Sequence, residues 1–196
     1  MIHKIIYADP PWSYKDKASS GNRGASHKYD VMTIDDIKAM PITNLAASDC
    51  ALFMWATFPL YQEALDTIKA WGFTYKTVAF IWVKTNRKAG TDFMGMGNWT
   101  RANAEACLIA TRGSIKRQSA SVRQIIDAPE PEVIRAPMVG HSVKPPEIRD
   151  RIVELCGDLP RCELFARDKA DYWDAWGNQA PECSKYIDGI LNANNK

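Results

Sequence analysis

Short, continuous apolar segments recur along the chain, and stretches with helical periodicity separate them. The segments are Ile2–Ala8, Ala51–Ala56, Val78–Val83, Ala104–Thr111 and Cys162–Phe165, with a weaker candidate at Asp171–Trp176. Continuous rather than alternating apolar residues are typical of strands covered on both faces, as in a parallel sheet. The pattern therefore predicts a doubly wound α/β fold, with a mostly parallel central sheet flanked by helices.

Three segments carry the apolar spacing of amphipathic helices. One begins at Thr33 as a capping box, one covers residues 60–71, and one follows Pro145 and Pro146. Three stretches are predicted as long irregular loops: Ser13–Met32, Thr85–Asn103 and Gly113–Gly140. Loops of this length inside a compact domain usually carry function.

Length and composition limit the class of protein. The 196 residues predict a single domain over 1–196, and the net charge of +2 neither requires nor excludes a nucleic-acid partner. There is no apolar run of ~20 residues and no cationic leader, so we expect no membrane partner and a cytoplasmic location. The five cysteines lack C-x-x-C spacing and are expected to be reduced thiols, with no metal site.

The first apolar run ends in the tetrapeptide Asp9-Pro10-Pro11-Trp12. Because two prolines stop further ladder pairing, Asp9 is expected at the carboxyl end of the first strand. In open α/β sheets, ligands bind beyond the carboxyl ends of the strands. The tetrapeptide is therefore predicted to lie in an active site.

The tetrapeptide suits the activation of an aromatic amine, which is a weak nucleophile because its lone pair delocalises into the ring. The Asp9 carboxylate and the Pro10 carbonyl, held rigid by Pro11, would accept the two N–H bonds and localise that lone pair. Trp12 would stack on the base. We therefore predict Asp9, Pro10, Pro11 and Trp12 as catalytic residues. The alternative is a simple turn in which Trp12 is a hydrophobic plug.

Further motifs follow in order along the chain. They are LFMW at 52–55, IWVKTN at 81–86, EACL at 105–108, HSVKP at 141–145, ELFAR at 163–167 and WGNQ at 176–179. With the tetrapeptide, they resemble the S-adenosylmethionine-dependent adenine methyltransferases that carry an Asp-Pro-Pro-Trp motif. This is the family of the catalytic subunit of the eukaryotic messenger-RNA adenosine methyltransferase and of smaller bacterial and phage enzymes. The resemblance covers Ile5 to Gln179 and implies a Rossmann-like fold with permuted motif order.

The resemblance implies S-adenosylmethionine as the cofactor. The implied cofactor-binding residues are Asp9, Lys144, Phe165, Arg167, Asn178 and Gln179. By position, Lys144 would neutralise the carboxylate of the cofactor, and Asn178 with Gln179 would bond its ribose and adenosine end. The alternative for Lys144 is a solvated charge at a helix start.

Basic residues are concentrated in the loops near the predicted site, with eight basic and two acidic residues between Lys84 and Arg123. The predicted substrate-binding residues are Trp12, Tyr29, Lys84, Asn86 and Arg101. For Tyr29 this rests on the resemblance, which implies an aromatic residue that closes over the substrate. Phosphate contacts would supply part of the affinity.

An adenine amine inside a duplex is inaccessible, so the enzyme must extrude the base or take a single strand. The chain leaves no room for a separate target-recognition domain, so sequence readout would use the loops or a second subunit, as in a homodimer. The sequence thus predicts methyl transfer to the N6 amine of adenine in DNA, as in compact phage or bacterial enzymes. The alternatives are an RNA N6-adenosine methyltransferase, a catalytically silent nucleic-acid-binding subunit, and methylation of a protein glutamine.

Overall fold

A computed structural model describes residues 2–13, 32–86, 90–95, 99–129 and 143–191. In this part of the chain, seven strands form one sheet and four α-helices flank it. The strands are β1 (His3–Ala8), β2 (Ala46–Ala56), β3 (Thr74–Thr85), β4 (Ala104–Arg112), β5 (Ile125–Pro129), β6 (Arg161–Leu164) and β7 (Asp174–Trp176). The helices are α1 (Ile34–Ala39), α2 (Tyr61–Ala70), α3 (Glu147–Cys156) and α4 (Pro181–Leu191).

The strand order is β5-β3-β4-β2-β1-β6-β7, and β4 alone runs antiparallel to its neighbours. Six strands therefore end at one edge of the sheet, and β4 begins there. We call this the carboxyl edge. It brings together the residues that follow β1, β3, β6 and β7 and the first residues of β4.

Both faces of the sheet are buried, as the continuous apolar runs predict. On β1, Ile6 and Ala8 belong to a core layer that also contains residues of α1, α2 and α4. Ile5 and Tyr7 point to the opposite layer, which contains residues of α3. The predicted α/β class with a mostly parallel, helix-flanked sheet is confirmed. None of the helices in the described ranges is long and apolar enough to span a bilayer.

Local signals place the helix ends as predicted. Thr33 caps α1, and its Oγ1 accepts a hydrogen bond from the backbone N–H of Asp36 at 3.1 Å. Gly72 follows α2 and Gly157 follows α3, both with positive φ. An L residue rarely adopts such a φ, which is why glycine is common just after a helix.

The prediction of an irregular loop over Gly113–Gly140 is wrong where β5 lies. This strand has five residues at the edge of the sheet, its first residue Ile125 is exposed, and its last is Pro129. So short a run gives almost no periodic signal. The orientation of β4 was likewise not specified by its apolar run. It is antiparallel because its connection to β3 contains no crossover helix among the described residues, and parallel pairing needs one.

The ends of the parallel neighbours β6 and β7 lie very close together. The backbone N–H of Ala166 donates to the carbonyl of Trp176 at 2.8 Å, and a Cβ placed on Gly177 would overlap the backbone of Ala166. Phe165 has φ +62°, an uncommon and strained value for a residue other than glycine. Its ring meets that of Trp176 edge-on, with centroids 5.4 Å apart. These contacts hold the chain together where it leaves the two strands.

Replacing Gly177 by Ala is expected to push these two strand ends apart. Because a backbone contact cannot relax easily, the free energy of unfolding should fall by about 1–3 kcal/mol. Gly189→Ala is the matched control, since open space surrounds a Cβ at that position in α4. The control should raise the unfolding free energy by about 0.5 kcal/mol. Urea unfolding of both variants measures the difference, and equal effects would contradict the close backbone contact between Gly177 and Ala166.

Candidate active site

Asp9 directly follows β1, at the carboxyl edge, and its side chain is 24% exposed. Lys144 Nζ donates to Asp9 Oδ2 at 3.0 Å. The backbone N–H of Trp12 donates to the carbonyl of Pro10 at 2.8 Å, which closes a tight turn centred on Pro11. A carbonyl oxygen has two lone pairs and a carboxylate accepts about four hydrogen bonds. Both groups therefore retain acceptor positions for a ligand.

Trp12 packs into the core layer that lies against α1 and α2. Its side chain is 5% exposed, and its indole Nε1 donates to the backbone carbonyl of Trp55 at 3.0 Å. This is the packing expected of the plug alternative. Stacking of Trp12 on a base stays a prediction, and little of the side chain is exposed for it.

Glu105, the second residue of β4, joins two lysines at the carboxyl edge. Its Oε2 lies 3.1 Å from Lys144 Nζ, and its Oε1 lies 2.9 Å from Lys84 Nζ. We call Asp9, Lys144, Glu105 and Lys84 the charge network. Three of these side chains are less than 15% exposed, so the network is largely withdrawn from water. Sequence reasoning gave Glu105 no role, although a lone acid at the start of an apolar strand is a usable signal.

Two tryptophan rings support the lysines of the charge network. Lys84 Nζ lies 4.9 Å from the centre of the Trp82 ring, and Lys144 Nζ lies 5.3 Å from that of Trp55. Such cation–π contacts stabilise a partly desolvated ammonium. Trp55 is held in turn, because its Nε1 donates to Tyr7 Oη at 2.7 Å. Two of the seven tryptophans thus serve to position charge.

Burial and the neighbouring charges act in opposite directions on the carboxyl groups. Burial raises the pKa of Asp9 above its usual value, although Lys144 opposes the shift. Burial also disfavours ionised Glu105, but Lys144 and Lys84 outweigh it and lower the pKa of Glu105 to about 2. Burial works against the charge of Lys144, yet Asp9 and Glu105 raise its pKa. Glu105 and Lys144 are therefore both charged at neutral pH.

The remaining predicted cofactor residues follow β6 and β7 at the same edge. Phe165 and Arg167 come after β6, and Arg167 is near enough to Asp9 to lower the pKa of that carboxyl group. Asn178 and Gln179 are exposed and come after β7. Asp168, the residue after Arg167, accepts a hydrogen bond from Arg149 at 2.8 Å.

The donor set at this edge fits S-adenosylmethionine. Two carboxylates, Asp9 and Glu105, stand against three cations, Lys84, Lys144 and Arg167, which leaves one positive charge for an amino-acid carboxylate. A carboxylate at Asp9 also suits a cationic sulfonium group. The exposed amides after β7 suit vicinal hydroxyl groups. No cluster of three metal-ligating side chains occurs in the described part of the chain.

The predicted substrate-binding residues are not all in one place. Lys84 belongs to the charge network rather than to an exposed loop. Asn86 closes the turn after β3, where its Nδ2 donates to Thr91 Oγ1 at 3.0 Å. Arg101 is exposed just before β4, and Tyr29 lies outside the described residues.

Comparisons with known proteins agree with this architecture. The MT-A70 family model matches residues 3–179, and that family has a Rossmann-like methyltransferase fold. The chain belongs to the MT-A70 family. It is 32% identical to the Type II methyltransferase M.MunI of Mycoplasma sp over 198 residues, which cover 92% of this chain and 78% of that protein. It is 29% identical to the N(6)-adenine-specific methyltransferase METTL4 of Mus musculus, over 89% of this chain and 36% of that protein.

Glu105→Gln is expected to remove the carboxylate that two buried ammonium groups share, so that Lys84 loses this ion pair and Lys144 keeps only its pair with Asp9. The free energy of unfolding should fall by roughly 3 kcal/mol at pH 7. Asp66→Asn is the matched control, because it removes a carboxylate whose pair with Lys38 is exposed, and its effect should stay below about 1 kcal/mol. Urea unfolding of both variants measures the two values.

The effect of Glu105→Gln also has a defined pH dependence. The carboxylate stabilises the fold fully above its unfolded pKa of 4.5 and loses this effect as pH falls toward its folded pKa of about 2. The difference between the wild type and the variant should therefore shrink when pH is lowered from 5 to 3. A difference that grows over this range would contradict the ion pairs.

Proposed function

We propose that the protein transfers a methyl group from S-adenosylmethionine to the N6 amine of adenine in DNA. The observation that carries this proposal is the position of Asp9. Its carboxylate is fixed by Lys144 at the end of β1, beside the rigid Pro10 carbonyl. Two hydrogen-bond acceptors from one short turn match the two N–H groups of an exocyclic amine.

The reaction follows from what these two acceptors do to the amine. Asp9 accepts one N–H and the Pro10 carbonyl accepts the other, which turns the nitrogen away from the plane of the ring and localises its lone pair. When bound, S-adenosylmethionine supplies a methyl group on a positively charged sulfur. Transfer of the methyl group to the nitrogen would break its bond to sulfur and leave the cofactor as a neutral thioether, and the Asp9 carboxylate would accept the proton that the nitrogen loses. The raised pKa of Asp9 favours acceptance of this proton by its carboxylate.

Lys144 and Glu105 fix the carboxylate of Asp9 before the substrate binds. Held in this way, Asp9 needs no reorganisation when charge develops on the amine. Lys144, Arg167, Asn178 and Gln179 would hold the cofactor, and Phe165 would line its site between β6 and β7. Together they bring the methyl group to reacting distance.

DNA is proposed as the substrate because of two observations. The chain spans most of a relative named as a Type II methyltransferase, and eight of the ten charged residues from Lys84 to Arg123 are basic. RNA is the second candidate. The chain is also similar to relatives whose names give N6-adenine specificity without naming the nucleic acid. Four cysteines, at positions 50, 107, 156 and 162, are free and buried, which supports a reducing, cytoplasmic location.

Asp9→Asn is expected to abolish methyl transfer while preserving the fold, because the substitution keeps the shape of the side chain and removes its charge. Turnover should fall at least about 100-fold. The measurement is nucleoside mass spectrometry of unmethylated DNA and RNA, each incubated with the protein and S-adenosylmethionine. Asp66→Asn, an exposed carboxylate on α2, is the control and should retain full activity.

The same measurement separates the candidate functions. N6-methyladenine in DNA alone, absent with Asp9→Asn, is the expected result. N6-methyladenine in RNA alone would keep the mechanism and overturn the substrate. No methylated nucleoside in either, with S-adenosylmethionine still bound in calorimetry, would identify a catalytically silent subunit.

The pH dependence of kcat/KM should report the raised pKa of Asp9. Activity requires the ionised carboxylate, so it is lost as pH falls through that pKa, at a pH above the usual value for aspartate. Glu105 raises the pKa of Asp9, so Glu105→Gln should move this acid limb to lower pH. If the acid limb does not move, it reports the titration of another group, such as the adenine base of the substrate.

A further inference from the structure

One tryptophan stands apart from the other six. Trp99 is 100% exposed, whereas Trp12, Trp55, Trp71, Trp82 and Trp173 are buried and Trp176 is half-buried. An indole in water forgoes the 1.5–3 kcal/mol, roughly, that burial of a large apolar side chain provides. Tryptophan is enriched at contact surfaces, because its ring offers a large apolar area and its N–H a hydrogen-bond donor.

Trp99 belongs to the connection between β3 and β4, and both ends of this connection are firmly held. The backbone N–H of Lys84 donates to the carbonyl of Asn103 at 2.7 Å, and that of Phe93 donates to the carbonyl of Lys84 at 2.9 Å. Farther out, Gly95 packs so closely on Ala102 that a Cβ at Gly95 would overlap the Ala102 carbonyl. Trp99 therefore follows a part of the connection whose two sides are held together by these hydrogen bonds and by the contact of Gly95 with Ala102.

The connection between β3 and β4 begins at the charge network itself. Lys84 pairs with Glu105, and Glu105 pairs with the Lys144 that holds Asp9. Because β3 ends and β4 begins at the carboxyl edge, the connection between them lies at the edge that carries Asp9. The connection that carries Trp99 and the carboxylate of Asp9 are thus linked through the charge network.

We propose that Trp99 stacks on a base of the nucleic acid beside the target adenine and supports extrusion of that adenine from the duplex. The inference rests on the proposed function. It assigns to Trp99 the stacking on a base that Trp12, because it is buried, is poorly placed to provide. Bases present flat π-faces to an aromatic ring, and side chains inserted at a base step help to unstack it. Arg101, exposed two residues farther on, suits the neighbouring phosphate. This charge favours a nucleic acid over an apolar protein partner.

Fluorescence tests the contact directly. Because the other six tryptophans are buried or half-buried, quenching by an added oligonucleotide reports mainly on Trp99. We expect an unmethylated duplex to quench the emission of the wild type. The same duplex should leave the emission of Trp99→Phe almost unchanged. Equal quenching of both proteins would overturn the proposal.

Activity tests the role in extrusion. On a duplex, Trp99→Ala should lower kcat/KM about tenfold, as expected for the loss of one stacked base, and Trp99→Phe should restore most of it. On the same sequence as a single strand, where no base has to leave a stack, the loss should be under about threefold. Tyr172→Ala removes another exposed aromatic ring, before β7 at the opposite edge, and should have no effect on either substrate.

The outcomes keep the inference separate from the function on which it rests. If the wild type methylates DNA and Trp99→Ala matches it on the duplex, the stacking role is wrong and the function stands. If the wild type methylates no nucleic acid, the function fails. An equal loss on both substrates would overturn the role in extrusion. A dimer in sedimentation that Trp99→Ala dissociates would assign the indole to a second copy of the chain instead.

Discussion

The structure at the carboxyl edge depends on one buried carboxylate. Glu105 accepts from two lysines, and one of them is also the partner of Asp9. An ion taken out of water is costly unless it is paired, so none of these charges is stable there alone. The lysines come from β3 and from the segment before α3, and the carboxylates come from β1 and β4. The charge network therefore holds four separate parts of the chain in fixed relation, and the position of Asp9 depends on all of them.

The reversed direction of β4 makes this arrangement possible. In a parallel strand at the same place, the residues at its start would lie at the opposite edge, and Glu105 could not reach Lys144. Reversal also lets β3 and β4 join without a crossover helix, so the connection stays at the carboxyl edge. The direction of β4 thus places two groups beside the site: Glu105, which neutralises the lysines of the charge network, and the exposed indole of Trp99.

Local chemistry explains what the sequence could reveal and what it could not. The continuous apolar runs identified β1 and its two buried faces, and Pro10 and Pro11 placed Asp9 at a strand end. The role of Glu105 depends on strand direction and on its pairing opposite Trp82, and neither is encoded locally. The burial of Trp12 depends on the carbonyl of Trp55, 43 residues away. β5 was missed because five residues at a sheet edge carry almost no periodicity.

The same aromatic residue supports both halves of the proposed chemistry. The Trp55 carbonyl anchors the indole of Trp12, and the Trp55 ring lies under the ammonium of Lys144. Tyr7, on the strand that Asp9 follows, accepts a hydrogen bond from the N–H of that ring. A set of acceptors fixed in this way is suited to holding an amine in one geometry, but it has little freedom to reach into a duplex for its base. The adaptable contacts with nucleic acid must therefore come from outside this framework, and the exposed part of the β3–β4 connection is where the described chain offers them.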